Sequence, residues 1–395
     1  MKKDIPWNSI VQVVFSRRHQ VMLVVGLLLF TWGGLFTEAG ALLLNFVTII
    51  FFFRLAIIIH ESGHLFFAKL MGGVPLRMEL GTGYDVFIQK FFNIPIVLKS
   101  KFDRGLAYYI FKDPSKSKQI IATSGGFFFN FLMAGMAYYI FGLSFNPPYN
   151  PAFDFIFTNS VSALFTFFPG EYNKRKTDGL RIFHILSNKE KLNYQADETI
   201  KFFRAINFHE QKNYQKALVL YKELFSSENY GNSSRLHGSD CYFKTGNTTM
   251  SFKNLQDLQN LIKPEKKILH LYLYNHLAWH YLLSGQTDKA HAYAGMSHQI
   301  DDTNVYASAI YGISLIETGK YLQGIKLLNK NINLSYYHSD IFIQVLYLMY
   351  ASSRLKPRLQ KNKYEKYIQK HRPKFTAYYE ERIYNRIIPK IQTLS

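Results

Sequence analysis

The sequence predicts an all-α protein in two parts: a polytopic membrane helix bundle of about four spans, with a small β-rich cytoplasmic loop, followed by a soluble α-helical repeat domain. Three observations favour this fold class. Long uncharged apolar runs are confined to roughly the first 180 residues. The remainder mixes polar, aromatic and basic residues, as water-soluble helical domains do. Within it, small and large side chains recur about every 34 positions.

Four apolar stretches are close to the length that a helix needs to cross the hydrocarbon core. They cover about residues 21–37, 40–67, 120–142 and 152–169. A signal peptide is the competing interpretation of the first stretch, because basic residues precede it. A second apolar stretch follows directly, however, and no small-residue cleavage site leads into soluble sequence.

Positive charges set the orientation of these spans, because cytoplasmic loops are enriched in Lys and Arg. Such residues are frequent in the segment 1–20, in the segment 69–118 and just after the fourth span, whereas the loops near Glu38 and at 143–152 have none. We therefore expect a multi-pass protein of the bacterial cytoplasmic membrane with both termini in the cytoplasm. The single cysteine, Cys241, is consistent with a soluble half in a reducing compartment.

The formal net charge of +20 would also suit a nucleic-acid-binding protein. No nucleic-acid-binding motif accompanies the charge, so we expect no nucleic acid partner. In a chain with membrane spans, basic segments bind anionic lipid headgroups. We expect this of the basic helical tail at 351–395, for which a solvated helix is the alternative.

Two histidines four residues apart lie at the end of the second span, in His60-Glu61-Ser62-Gly63-His64. On a helix both imidazoles share one face, with Glu61 beside them. Zn²⁺ held by three protein ligands keeps a position for water, and a neighbouring carboxylate can take its proton. Asp178 follows the fourth span at the same membrane face, and Gly179 gives the backbone freedom to turn. An Asp-Gly pair alone is commonly a surface turn, but this position favours Asp178 as the third ligand.

These residues resemble the site-2 protease family of intramembrane zinc metalloproteases. The family's His-Glu-x-x-His motif matches residues 60–64, and its late Asp-Gly motif matches residues 178 and 179. The segment 124–130 is similar to the family's Gly-Pro-x-x-Asn segment, with Phe127 in place of the Pro. The segment 79–109 resembles the β-rich loop after the first catalytic helix. The resemblance covers about residues 40–185.

The resemblance implies a catalytic role for two residues. Glu61 would act as general base and then as proton donor to the leaving amine. Asn130 would stabilise the oxyanion or hold the substrate backbone, although a hydrogen bond between spans is an equal alternative for this side chain. Thr166 stands where the family has an Asn.

Residues 195–350 resemble tetratricopeptide repeats. The set Ala278, Tyr281, Ala290 and Ala294 recurs 34 positions later as Gly312, Leu315, Gly324 and Leu328. Stacks of such helix pairs present a concave surface to partner segments, so we expect a protein partner here. A plain helical bundle is the alternative. The nearby histidines are interpreted as packing residues: His276, His280, His291 and His298.

The motif and the resemblance together imply a zinc metalloendopeptidase that cuts a membrane-anchored protein or a precursor peptide near the cytoplasmic membrane face. Its domains would be a transmembrane metalloprotease domain at 21–185 and a repeat domain at 195–350 that binds substrate or regulator. One alternative is a non-enzymatic, membrane-tethered repeat scaffold with a structural zinc site, and another is a zinc hydrolase acting on a substrate other than a peptide. Glu61 favours an enzyme, because a structural site needs no base.

Overall fold

The computed structural model divides the chain into two compact units, Met1–Ile200 and Lys201–Ser395. Helices make up most of both units. The structure describes residues 7–14, 17–32, 36–142, 148–172, 175–190, 195–334, 337–355, 358–372 and 378–393. The predicted first span and the predicted loop at 143–152 each include residues outside these ranges, namely 33–35 and 143–147.

The first unit combines membrane-length helices with one long hairpin. Its elements are α1 (Trp7–Val14), α2 (Arg17–Trp32), α3 (Phe36–Leu70), β1 (Val74–Phe91), β2 (Ile94–Ile110), α4 (Lys116–Phe141), α5 (Pro151–Phe167), β3 (Glu171–Tyr172), β4 (Arg175–Lys176) and α6 (Asp178–Leu186). Helix α3 packs against α2, α4 and α5, and α6 packs against α4 and α5. The central helix α3 therefore contacts most of the bundle.

Among the described residues, two helices are long and apolar enough to cross a membrane, Thr37–Leu70 and Lys116–Phe141. Both begin about four residues earlier than the sequence predicts. The 35 residues of α3 extend over about 52 Å, which is longer than a hydrocarbon core of about 30 Å. The other two predicted spans correspond to the shorter helices α2 and α5, of 16 and 17 residues.

The predicted β-rich loop is confirmed as an antiparallel pair, β1 and β2. Phe92 and Asn93 connect the two strands, and their φ angles of 47° and 64° suit a two-residue hairpin turn. The register shifts along the middle of β1, so the long hairpin is irregular. Its apolar face, which includes Met78 and Leu98, packs against Leu65 of α3. This packing holds β2 against the helix that carries the predicted histidines.

The second unit, which begins within α7, is a succession of helices. They are α7 (Ala196–Glu210), α8 (Tyr214–Glu223), α9 (Gly231–Lys244), α10 (Thr248–Leu261), α11 (Lys267–Leu283), α12 (Thr287–Ile300), α13 (Val305–Glu317), α14 (Tyr321–Asn331), α15 (Ser339–Leu355), α16 (Arg358–His371) and α17 (Tyr378–Gln392). From α8 to α16 each helix packs against the next. Neighbouring odd-numbered helices from α9 to α15 also contact each other, so they form one layer.

One turn recurs at the end of the odd-numbered helices. After α7, α9, α11 and α13 a residue with positive φ ends the helix: Lys212, Gly246, Gly285 and Gly319. In each case the next residue donates its backbone N–H to the carbonyl five positions earlier, at distances of 2.8–2.9 Å. This bond is typical of the Schellman motif. The same local structure therefore joins the two helices of four successive pairs.

Candidate metal centre

Three predicted ligands converge in the first unit. His60 and His64 lie on one face of α3, and Asp178 is the first residue of α6. Oδ2 of Asp178 lies 3.0 Å from Nε2 of His60 and 3.3 Å from Nε2 of His64. The two Nε2 atoms are 3.1 Å apart. Among the described residues, this is the only group of three such side chains that could hold a metal ion.

The shape of this triangle fits a tetrahedral metal ion. Ligand atoms at zinc distances of about 2.0–2.1 Å stand about 3.3 Å from one another in tetrahedral geometry, close to the three separations observed. All three residues are less than 10% exposed, at 9% for His60, 7% for His64 and 8% for Asp178. Three ligands leave a fourth position, which is typical of catalytic rather than structural zinc sites.

The contact of His64 with a backbone carbonyl favours a form of the ring that leaves Nε2 able to bind a cation. Nδ1 of His64 lies 2.9 Å from the carbonyl oxygen of Ala122, and in the neutral ring this nitrogen donates its proton to that oxygen. Nε2 is then an unprotonated acceptor that faces a carboxylate oxygen of Asp178. In this neutral form of the ring, lone pairs point at one another in a buried place, and either a proton on an imidazole or a bound cation would compensate them.

Asp178 is fixed by the local structure around the first turn of α6. Oγ1 of Thr177 accepts hydrogen bonds from the backbone N–H groups of Gly170, at 2.9 Å, and Leu180, at 3.4 Å. The same hydroxyl donates to the carbonyl oxygen of Phe168 at 2.7 Å. Thr177 is thus the N-cap residue that ties α6 to the end of α5.

The expected role of Gly179 was wrong. Residue 179 lies inside α6 and makes no turn. A Cβ atom there would overlap the carbonyl oxygen of Phe167. The glycine is therefore needed for close approach of α6 to α5, and this approach brings Asp178 to the histidines.

Glycines also let α4 approach the two imidazoles. A Cβ atom on Gly63 or on Gly125 would overlap the carbonyl oxygen of the other, so α3 and α4 touch through their backbones. A Cβ on Gly126 would lie 2.5 Å from Nε2 of His60 and 2.6 Å from Nε2 of His64. The space beside the ligand atoms exists because residue 126 has no side chain.

Glu61 is buried next to the ligands but is not one of them. Its carboxylate hydrogen-bonds with the backbone of Ala107 on β2. Gly105 lies so close that a Cβ atom would overlap the Glu61 side chain. The strand β2 therefore orients the candidate base. The sequence did not single out Gly105 and Ala107 for this contact.

Asn130 lies on α4, four residues after Gly126 and thus one turn along the same face. It is fully buried, and neither amide atom has a hydrogen-bond partner among the described residues. An unpaired buried amide costs about 1–3 kcal/mol. The described part of the structure contains no hydrogen bond between spans from this side chain, so its amide is available to another group.

The structure thus brings together His60, His64 and Asp178, with the Glu61 carboxylate held against β2 and Asn130 one helical turn from the glycine that borders the imidazoles. No known protein-family model matches the chain, and a search of characterised proteins finds no match either.

Proposed function

We propose that the chain is an intramembrane zinc metalloendopeptidase that hydrolyses peptide bonds of a membrane-anchored protein or precursor peptide near the cytoplasmic membrane face. The observation that carries this proposal is the convergence of the three ligand atoms, with a buried carboxylate on the residue after the first ligand. A structural metal site has no use for such a carboxylate. We therefore favour an enzyme over a membrane-tethered scaffold.

His60, His64 and Asp178 would hold the zinc ion. When bound, zinc supplies Lewis acidity, which makes water a stronger acid and polarises a carbonyl group. The Ala122 carbonyl keeps the proton of His64 on Nδ1 and directs Nε2 into the site. Because Gly126 has no side chain, the region next to these atoms would remain open to a substrate.

Glu61 would transfer the protons in this reaction. Its carboxylate takes a proton from the attacking water and returns it to the nitrogen of the leaving amine. The Ala107 backbone holds the carboxylate in place, so the base is positioned before substrate binds. Asn130 would donate its amide N–H to the carbonyl oxygen or backbone of the substrate. Its unpaired amide atoms support this role.

The membrane part of the proposal has four spans, with the shorter helices α2 and α5 flanking α3 and α4. We also propose that the hairpin tip contacts anionic lipid. Phe91 and Phe92 are 61% and 81% exposed there, and Lys90 beside them is exposed too. Aromatic side chains next to a lysine suit the boundary between headgroups and acyl chains.

For the second unit we propose a tetratricopeptide-like stack that binds substrate or a regulatory protein. The recurrent Schellman turn after α7, α9, α11 and α13 supports this proposal, because one supersecondary unit is repeated. The turns at Gly285 and Gly319 are 34 residues apart, which is the length of a tetratricopeptide unit. The layer of odd-numbered helices would be the binding face.

The test compares the purified parent with Glu61→Gln on a panel of membrane-helix peptides. Glu38→Gln is the matched control, because Glu38 lies in the first turn of the same helix. We expect the parent and Glu38→Gln to cleave, and Glu61→Gln to be slower by about 10²–10⁴-fold. Zinc analysis should give equal metal content in all three proteins.

Equal cleavage by the parent and Glu61→Gln would refute the mechanism. A parent that binds zinc and cleaves no peptide of the panel would favour the scaffold instead. Mass spectrometry of the products gives the position of the cut, which we expect near the cytoplasmic end of the substrate span.

A further inference from the structure

The last helix, α17, has an apolar stripe that is buried inside the second unit. The stripe consists of residues four positions apart: Tyr379, Ile383, Ile387 and Ile391. Each of the four is at most 5% exposed. Residues spaced by four share one face of a helix. Helix α17 is therefore an amphipathic helix whose apolar face is covered by other parts of the unit.

The covering elements are the odd-numbered helices. The ring of Tyr379 lies 5.4 Å from that of Phe243 on α9 and 6.2 Å from that of Trp279 on α11. Arg386 donates a hydrogen bond to the carbonyl oxygen of Leu282, also on α11. The ammonium of Lys390 lies 5.6 Å from the ring centre of Tyr350 on α15. These contacts belong to the layer of α9, α11, α13 and α15.

An acidic residue in this layer matches the basic residues of α17. Glu317, at the end of α13, has a side chain that is only 7% exposed. Its carboxylate lies 2.9 Å from Nη2 of Arg386 and 3.7 Å from Nζ of Lys390, and the hydroxyl of Tyr347 donates to it at 2.8 Å. A buried carboxylate without a cation is strongly destabilising. The layer therefore offers an apolar surface with one site for a basic side chain.

This arrangement is that of a helix bound in a groove. Amphipathic helices bind such surfaces through apolar residues on one face, and stacks of helix pairs form extended surfaces that bind partner segments. Helix α17 comes after the pairs α7/α8 to α15/α16 and lies across four of their first helices. It occupies the face on which a partner would bind.

We propose that the layer of α9, α11, α13 and α15 is a groove for an amphipathic helix of a partner protein, and that α17 is its built-in occupant, which the partner displaces. The proposal rests on the binding role proposed above for the second unit. The chemistry of α17 defines the partner: aliphatic residues at every fourth position and a basic residue opposite Glu317. Covalent attachment gives α17 an effective concentration of about 1 mM, so a partner must compete at that level.

The first experiment asks whether α17 opens independently of the core. Two variants of the full chain each place a cysteine at a fully buried isoleucine, Ile387→Cys on α17 and Ile313→Cys on α13. Buried Cys241 is present in both and serves as an internal reference. Thiol-labelling rates report local opening. We expect residue 387 to react at least ten-fold faster than residue 313; equal rates would overturn the proposal, because α17 would then be part of the core.

The second experiment asks whether a helix of the stated chemistry displaces α17. A synthetic peptide of residues 378–393 at about 1 mM should accelerate labelling of Ile387→Cys at least ten-fold. A peptide with Arg386→Glu should not accelerate it, because its carboxylate would face that of Glu317. Acceleration by neither peptide, or by both equally, would contradict the proposed groove. Neither readout requires cleavage, so failure here leaves the proteolytic function untouched.

Discussion

Each unit of the molecule contains a group of two histidines and one aspartate, buried in the first unit and partly buried in the second, and the two groups differ in what compensates the carboxylate. In the first unit the ligand atoms of His60, His64 and Asp178 lie within 4.8 Å of one another. In the second, Asp240 lies 2.8 Å from Nε2 of His209 but 3.9 Å from Nδ1 of His276. A protein cation completes the second group, because Nζ of Lys244 lies 3.0 Å from Asp240.

The charge of Lys244 dominates the electrostatics of the second group. Burial alone would raise the pKa of Asp240, but the ammonium of Lys244 and the imidazole of His209 outweigh it and hold that pKa well below its usual range. Burial lowers the pKa of His276, which favours its neutral form. The comparison shows that histidines near an aspartate do not define a metal site. The second group differs in that the chain itself supplies a cation, Lys244.

Removing the ammonium group of Lys244 should have the largest effect, a loss in the free energy of unfolding. Lys244→Met leaves Asp240, whose side chain is only 14% exposed, without its ammonium partner, and we expect the free energy of unfolding to fall by about 3–5 kcal/mol. Chemical denaturation followed by circular dichroism measures it. Replacing both residues, as Lys244→Met with Asp240→Leu, should recover most of the loss, and Lys253→Met at an exposed position should change little. A fully stable single variant would mean that the histidines suffice.

Removing a proposed ligand from the first group should have an effect of nearly the same size, in this case on the free energy of zinc binding. Structural zinc sites with four ligands bind with about 10–16 kcal/mol, so one ligand contributes about 3 kcal/mol. We expect His64→Ala to lower zinc affinity by about 100-fold or more, measured by competition with a chelator. His276→Ala is the matched variant in the second group and should leave zinc content unchanged. Zinc lost from His276→Ala instead would reverse the assignment of the two groups.

The residues of the first group also show which contacts can be predicted from the sequence and which cannot. His60 and His64 were predictable because their relation is local: a spacing of four places both on one face of a helix. The contact of Glu61 with Gly105 and Ala107 was not predictable, because it depends on how β2 packs against α3. The interpretation of Gly179 failed for the same reason, since its close neighbour is Phe167 in another helix.

The basic tail illustrates a different limit. The pattern of α17 suited a helix lying on anionic lipid, because an amphipathic helix presents the same pattern to a membrane or to a protein surface. The structure buries Ile383 and Ile387 completely within the second unit. Only the positions of the odd-numbered helices, which depend on long-range packing, reveal what covers the apolar face.

Acid should destabilise the second unit through His280, because the folded protein favours the neutral form of its imidazole. His280 lies between the rings of Phe243 and Phe252, and Nε2 lies 2.8 Å from the hydroxyl of Ser251. Burial, together with nearby His276, lowers the pKa of His280 to about 4.

The unfolded chain protonates this imidazole near pH 6.5, so it binds more protons than the folded chain between about pH 6.5 and 4. The contribution of neutral His280 to the free energy of unfolding is therefore complete above about pH 6.5 and is lost as the pH falls towards 4. At about pH 5 the loss is on the order of 2 kcal/mol. We expect His280→Gln to show a correspondingly smaller fall in unfolding free energy between about pH 7.5 and 5. An unchanged pH dependence would show that His280 is not the group responsible.

The smallest effect, on zinc affinity, should come from a substitution at Gly126, which lies beside the imidazoles of the first group. Gly126→Ala adds a Cβ atom 2.5 Å from Nε2 of His60, so the imidazole must move. Changes in the groups that hold metal-binding histidines in place lower metal affinity by about 10–100-fold, and we expect a loss of at least about ten-fold. Gly135→Ala on the same helix is the matched control, because its Cβ would meet nothing within 4 Å. If both variants bind zinc as the parent does, the metal does not lie on the α4 side of the imidazoles, and the proposed place for substrate beside Gly126 is wrong.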